Sequence, residues 1–349
     1  MSDFNFWKNK KVLITGHTGF KGSWLTLFLK QLGANIYGIS LEPKSNQDLF
    51  SSANINDLCK TYINDVRDVE KIKDIICDVR PEILIHMAAQ PLVSVGYKDP
   101  IETITTNVIG TTSILNACLD IKELRVIINV TTDKVYDISS KIPFKESDML
   151  GGEDPYSSSK ACSELISYSF YKSYFENSKV SLLSARAGNV IGGGDYSKDR
   201  IIPDIYRSYK KKIIKLRNPS SVRPWQHVLE PLTGYLILAE KLYKNKIKGV
   251  TQNWNFGPNI GNCKSVKYIS KRFAKYLKFK IAIKRDFFKN KKKTETDYLR
   301  LSNHKAKKYL KWFPKWSLNK SIDKIIEWNK YYNKSSYEGC VKQIKEFLE

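Results

Sequence analysis

Tyr156 and Lys160 are four residues apart, so on a helix both side chains lie on one face. A lysine cation beside a phenol lowers the phenol's proton affinity, and the tyrosinate can then accept a proton from a hydroxyl near neutral pH. Upstream, Thr132-Asp133-Lys134 sets a hydroxyl, an acid and an amine side by side, a second acid/base group. Further upstream, Gly16-x-x-Gly19-x-x-Gly22 directly follows an apolar run. A glycine turn between strand and helix lets the backbone approach a pyrophosphate, and the helix N-terminus supplies free N–H groups and partial positive charge. Hydride transfer needs only the glycine turn and the Tyr-Lys pair. The Asp-Lys pair goes beyond that need.

These groups require a parallel sheet to carry them. Residues 11–15 read as a strand, and apolar Trp24, Leu25, Leu27, Phe28, Leu29 and Leu32 recur at helical spacing up to Gly33. The spacing predicts strands over 35–40, 83–86, 125–130 and 180–185, and helices over 68–79, 101–118 and 157–174. Short apolar strands without polar alternation suit a sheet covered on both faces. The expected fold is α/β, a Rossmann-type doubly wound parallel sheet. Residues 1–187 would form the dinucleotide-binding domain, and 188–349 mainly a smaller substrate lobe interleaved with the end of the sheet. After Gly188 the alternation breaks into Gly192-Gly193-Gly194, Pro203, Pro219 and Pro224.

At 349 residues, with 42% apolar and 27% charged content, the chain can bury a sizeable core. No stretch reaches the roughly 18 apolar residues of a membrane span, and the first residues lack the features of a secretion signal, so a cytoplasmic location is expected. The six cysteines contain no C-x-x-C and the four histidines no pair at ligand spacing, so neither zinc nor disulfides are indicated. The formal charge of +24 comes from 59 basic against 35 acidic residues, with lysine runs at 210–212 and 291–293. Lysine far outnumbers arginine, the residue favoured for base-edge readout, which argues against specific nucleic-acid recognition. Such a surface still attracts an anionic nucleotide.

For the cofactor, His17, Phe20 and Lys21 fall inside the glycine turn. The carboxylate that usually holds the adenosine ribose should end the second strand, where Ser40 stands instead, followed by Glu42 and Lys44. Glu42 is the candidate ribose ligand, which leaves NAD against NADP open. Asp65 and Val66, after a further strand expected ahead of the helix over 68–79, could meet the adenine.

Taken together, these motifs resemble the extended short-chain dehydrogenase/reductase family: Gly16/Gly19/Gly22, Ala88-Ala89 after an apolar strand, Thr132 at a strand end, and Tyr156/Lys160. More narrowly, the chain is similar to the CDP-glucose branch of the sugar-nucleotide 4,6-dehydratases. The resembling stretches are 15–24, 86–93, 132–134, 154–160, 186–195 and 223–231, with Trp312-x-Pro314 near the C-terminus.

The resemblance implies a cycle with NAD as internal redox cofactor. Tyr156, assisted by Lys160 and Thr132, takes the C4 hydroxyl proton as hydride leaves C4. Asp133 then acts as the acid at C6 and Lys134 stands where the C5 base belongs, and the hydride returns to C6. Lysine serves as a base only while neutral, and dTDP-glucose relatives carry glutamate there. The resemblance also implies cofactor contacts by Ala88, Ala89, Gln90 and a helix-bending Asn107. It implies substrate contacts by Gln90, Asn189, Arg200, Asn218 and Arg223, a homodimer or homotetramer paired through helices 101–118 and 157–174, and a role in deoxysugar formation for surface polysaccharide. His86 reads as a packed strand-end residue. Two other readings stay open: a sugar-nucleotide 4-epimerase or dehydrogenase, which has no need of Asp133 and Lys134, and a non-catalytic NAD- or nucleic-acid-binding protein.

Overall fold

The computed structural model describes residues 4–137, 143–208, 213–216, 218–247, 253–278, 280–283, 299–332 and 334–349. The two lysine runs lie outside the described residues. Strands β1 (Lys11–Thr15), β2 (Asn35–Ser40), β3 (Lys60–Ile63), β4 (Ile83–His86), β5 (Val126–Thr132), β6 (Ser181–Ala187) and β7 (Asn253–Phe256) form one parallel sheet in the order β7-β6-β5-β4-β1-β2-β3. The strand order reverses between β1 and β4, where Val12 pairs with Ile83 and Thr15 with His86. A crevice opens beyond the carboxyl ends of the strands at such a reversal.

The apolar runs are continuous because both faces are covered. Val12, Ile14, Ile83, Ile85, Val126 and Ile128 belong to one buried cluster with Trp24, Phe28 and Leu236, while Leu13, Leu84 and Ile127 join Ile72, Ile76 and Ile114 on the other side. Helix α1 (Phe20–Gln31) follows the glycine turn, and α2 (Val69–Val79) is capped by Asp68, whose side chain accepts from Lys71 N.

The helix expected over 101–118 is interrupted. Helix α3 (Pro100–Ile104) passes through a π-turn, Thr105–Ile109, into α4 (Gly110–Ala117). Helix α5 (Pro155–Phe170) likewise ends in a π-turn, Tyr171–Phe175. It starts two residues before its expected position, because Asp154 caps it by accepting from Tyr156 N and Ser157 N, each at 3.0 Å, and Pro155 occupies the first helical position. That start fixes Tyr156 in the first turn.

Chain beyond residue 187 returns to the sheet. Strand β7 pairs with β6 through Asn253 to Ser184 and Phe256 to Ala187, and helix α6 (Leu229–Tyr243) packs beneath β5 and β6. Trp312, Trp316 and Trp328 join the larger cluster, and the buried Glu230 carboxylate accepts from Lys315 N and Trp316 N. The 192–194 glycines serve packing: Trp24 Nε1 donates to Gly193 O at 2.9 Å, and a Cβ on Gly193 would lie 2.1 Å from the Trp328 ring.

Candidate active site

At the head of β1, Gly16 adopts φ +76°, and a Cβ there would stand 2.8 Å from Ala88 N. A Cβ on Gly22 would stand 2.2 Å from Gly16 O, so the first and third glycines let the turn close on itself. A Cβ on Gly19 would meet only Gly16 O, at 3.3 Å, which leaves its outer side open at the helix N-cap. Thr15 Oγ1 accepts from Met87 N and Ala88 N and bonds His86 Nδ1 at 2.7 Å, fixing the strand ends on both sides of the crevice. An open glycine-lined helix N-terminus beside a closely apposed second strand fits a dinucleotide pyrophosphate.

Several cofactor candidates are committed to the protein itself. His17 is buried against Gly38 and Phe50, with Nε2 3.2 Å from Thr61 Oγ1; burial pushes its pKa down to about 4. Its ring is therefore core packing under β2, not an anion contact. Asp65 accepts a bidentate pair from Arg67, whose guanidinium holds the carboxyl below the usual range, and Val66 packs on Gly110. Glu42 is exposed in the loop after β2, while Thr18 bonds Ser40 Oγ at 2.7 Å at the strand end itself. Phe20 packs near Gly192. Lys21 is half-buried among Arg200, Lys160 and Asp133; burial first, then the two cations, push its pKa down to about 7.

The bend assigned to Asn107 coincides with the π-turn. Its Oδ1 accepts from Gln90 N at 2.8 Å, and Nδ2 donates to Gln90 O and to Ser159 Oγ, tying the loop that carries Ala88, Ala89 and Gln90 to α5. The Gln90 side chain is turned into its own loop, donating to Leu92 O and Thr103 Oγ1 and accepting from Leu92 N. His86 is buried between Thr15 and Thr111, and burial pushes its pKa down to about 3.

Thr132 ends β5, and the next three residues, Asp133–Val135, form a single 3-10 turn. Thr132 Oγ1 donates to Asp133 Oδ1 at 3.1 Å and hydrogen-bonds Tyr156. Lys134 Nζ donates to the same Asp133 oxygen at 3.1 Å. Asp133 is fully buried, and its Oδ2 has no donor among the described residues. Such an oxygen costs about 1–3 kcal/mol, a penalty that a bound partner or a proton removes.

Burial raises the Tyr156 pKa; Lys134 opposes this first, followed by the Thr132 hydrogen bond and Arg200. The sequence points to Lys160 as the acidifying cation. In the structure Lys134 leads, while Lys160 is buried, its pKa lowered to about 8, with Glu164 one turn along partly offsetting that burial.

Of the substrate candidates, Arg200 approaches the site most clearly. Its Nη1 pairs with the buried Asp195 at 3.1 Å, and its charge acts on both Lys21 and Tyr156. Asn189 keeps an enclosed Oδ1 without a donor among the described residues. Arg223 is buried in the strand Val222–Pro224, whose Pro224 adjoins Asp133 across Gly188. Asn218 O accepts from Ser221 N in the preceding turn, and no described contact joins its side chain to the catalytic residues. Sequence reasoning did not single out Asp195, Ser159 or the Asp154 cap, although Asp-Pro before an apolar-periodic run is itself a helix-start signal.

Residues 13–325 match the family model described as GDP-mannose 4,6 dehydratase. The CDP-glucose 4,6-dehydratase of Salmonella typhimurium is 43% identical over 95% of this chain and 93% of its own. The dTDP-D-glucose 4,6-dehydratase of Mus musculus is 25% identical over 97% of this chain and 93% of its own. Among solved structures, the dTDP-glucose 4,6-dehydratase of Bacillus anthracis in complex with NAD matches with a TM-score of 0.75 at 21% identity, over 94% of this chain and 98% of that one. The UDP-glucose 4-epimerase of Thermotoga maritima with UDP-glucose gives 0.77 at 23%, over 93% and 99%. The fold is that of the short-chain dehydrogenase/reductase epimerases and dehydratases, and the chain belongs to the nucleotide-sugar 4,6-dehydratase family.

Proposed function

We propose that the protein is an NAD-dependent lyase that converts CDP-D-glucose to CDP-4-keto-6-deoxy-D-glucose. The observation that carries this is the Asp133–Lys134 pair on the turn directly after Thr132, beside Tyr156. An epimerase has no use for that pair, and the 43% identical relative is a CDP-glucose 4,6-dehydratase.

Gly16, Gly19 and Gly22 with the N-terminus of α1 would hold the pyrophosphate of NAD, and the loop from Ala88 to Gln90, braced by Asn107, would flank it. Bound NAD supplies the acceptor for the C4 hydride and its later donor to C6. Tyr156 accepts the C4 hydroxyl proton, and the resulting ketone acidifies C5. Lys134, as free amine, removes the C5 proton; Asp133, as the acid, protonates the departing C6 hydroxyl, which leaves as water. Lys134 then returns its proton to C5. Substrate has lost one water, Tyr156 has gained a proton and Asp133 has lost one. Thr132, bonded to both, lies on the path that restores them.

Arg200 and Arg223, with Asn189 and Asn218, are assigned to the nucleotide diphosphate and sugar, so residues 188–349 supply mainly the substrate side and 1–187 the cofactor side. A second copy of the chain covers the exposed Ile101, Ile104 and Ile109 of the α3–α4 segment and Leu165 and Tyr168 of α5. All six cysteines are free thiols, which suits the reducing cytoplasm. The 4-keto product suits deoxysugar formation for polysaccharide.

The test uses CDP-glucose deuterated at C4, incubated with the enzyme and analysed by mass spectrometry and NMR. Loss of one water with deuterium on the new methyl group is expected. Deuterium retained at C4, or C4 inversion without loss of water, would establish the epimerase reading instead.

A further inference from the structure

Arg186 of β6 and Glu164 of α5 form an ion pair with both side chains 1% exposed. Arg186 Nε donates to Glu164 Oε1 and Oε2 at 2.9 and 3.0 Å, and Nη2 also donates to Oε2. Nη1 donates to Tyr136 Oη at 2.6 Å and to Glu146 O at 3.3 Å. The Tyr136 hydroxyl in turn donates to Asn255 Oδ1 at 2.8 Å, with its ring stacked on Phe144 and under the guanidinium. Glu164 Oε1 also accepts from Thr131 Oγ1 at 2.5 Å.

None of these groups hydrogen-bonds a catalytic side chain, yet three of them adjoin one. Thr131 precedes Thr132; Tyr136 directly follows the Asp133–Val135 turn; Glu164 lies one helical turn beyond Lys160. A buried ion pair is a poor source of stability compared with apolar side chains of the same volume, so its value is sought in the geometry it fixes. We infer that Arg186 is a positioning residue that holds the Tyr156–Lys160 helix through Glu164 and the Asp133–Lys134 turn through Tyr136, keeping C4 oxidation and C5/C6 elimination in register on one sugar.

The two arms are separable. The Glu164 arm fixes α5, which is further held by the Asp154 cap and the Asn107–Ser159 bond. The Tyr136 arm fixes the far end of the turn that carries Asp133 and Lys134. Cutting only the second arm should leave oxidation in place and mis-set elimination.

The inference rests on the dehydratase reading, and the experiment separates the two. Tyr136→Phe keeps the ring stack and removes only the hydroxyl. Single-turnover reactions of full-length enzyme with NAD and CDP-glucose are quenched and analysed by mass spectrometry for the 4-keto intermediate, two mass units lighter than substrate, and for the dehydrated product. Tyr136→Phe should slow elimination tenfold or more while oxidation stays within twofold, so the 4-keto species accumulates where wild type shows little. Equal slowing of both steps, or slowing of neither, overturns the inference. The double replacement Glu164→Gln with Arg186→Gln, which removes both charges at once, should slow both steps. If that variant fails to fold by circular dichroism, the partition measured for Tyr136→Phe decides alone. Wild-type enzyme that never eliminates water would sink the dehydratase reading itself.

Discussion

Lys134 Nζ lies 3.1 Å from Asp133 Oδ1, so the amine proposed as the C5 base and the carboxyl proposed as the acid at C6 are hydrogen-bonded to each other in the substrate-free site. A substrate that takes up the amine leaves the Asp133 carboxyl enclosed, with no donor to Oδ2 among the described residues.

This arrangement predicts different losses for the two residues. Lys134→Ala should slow elimination by about 10²–10⁴, the usual contribution of an acid or base, and C4 oxidation by a smaller factor, because it also removes the cation that most lowers the Tyr156 pKa. Tyr156→Phe should abolish oxidation and therefore everything after it. Rapid-quench mass spectrometry of the 4-keto species reads both variants. Equal slowing of oxidation and elimination in Lys134→Ala would remove lysine from the role of base.

The three glycines should respond differently to alanine. Gly22→Ala places a methyl 2.2 Å from Gly16 O, and Gly16→Ala places one 2.8 Å from Ala88 N at a positive φ, so both should destabilise the fold. Gly19→Ala meets only Gly16 O at 3.3 Å and should leave thermal unfolding nearly unchanged while weakening NAD at least tenfold. Differential scanning calorimetry and NAD titration give the two readouts. A Gly19→Ala protein that binds NAD as wild type does would move the pyrophosphate elsewhere.

Much of this was legible in the sequence because strand and helix periods are local. Strands β1, β2 and β4 fall where the apolar runs end, and Tyr156 and Lys160 share a face because α5 is a regular helix there. The assignments that shifted depend on contacts distant in the chain. His17 reads as an anion contact from its place in the turn, but Gly38 on the next strand leaves room for its ring and takes it inside. Gln90 reads as a ligand, but its amide is consumed by Leu92 and Thr103. The π-turn at Asn107 adds one residue to a helix whose apolar pattern runs through it without a break. Arg186 carries no local signal, since its side-chain partners are Glu164 on α5, Tyr136 just after the catalytic turn and the Glu146 carbonyl.

Stability should fall on both sides of a maximum. Burial holds His17 at about 4 and His86 and His227 at about 3, all below the ordinary 6.5. For a depressed pKa the stability is present above the unfolded value and is lost as pH falls from 6.5 toward 3, by at most roughly 1.4 kcal/mol per pH unit for each histidine. Glu230 acts in the opposite sense. Burial raises it to about 7 from 4.5, so its contribution is full below 4.5 and is lost as pH rises through 7. Between 4.5 and 6.5 the histidines outweigh Glu230, so its loss shows as a shallower rise of stability with pH and as a small fall from 6.5 to 7. Urea unfolding at a series of pH values reads this: Glu230→Gln, which keeps an oxygen for Trp316 N, should steepen the rise above 4.5, remove the fall above 6.5 and leave the profile below 4.5 intact. An unchanged profile above 4.5 would take Glu230 out of the account.

Arg200 should govern binding of the nucleotide diphosphate more than turnover. The buried Asp195 holds its guanidinium at 3.1 Å from one side, leaving the rest of the fork free to donate to phosphate oxygens, while Ser197 N secures the same aspartate. Arg200→Leu should raise KM for CDP-glucose by about 10–100-fold with kcat within a few-fold, since the diphosphate is bound equally in ground and transition states. Asp195→Asn keeps the shape and removes the charge that orients the fork, so a smaller rise in KM is expected. Arg200→Lys should recover little, because an ammonium cannot reproduce two parallel hydrogen bonds. Steady-state kinetics across the three variants decides the assignment: a fall in kcat at unchanged KM would place Arg200 on the reacting sugar rather than on the diphosphate.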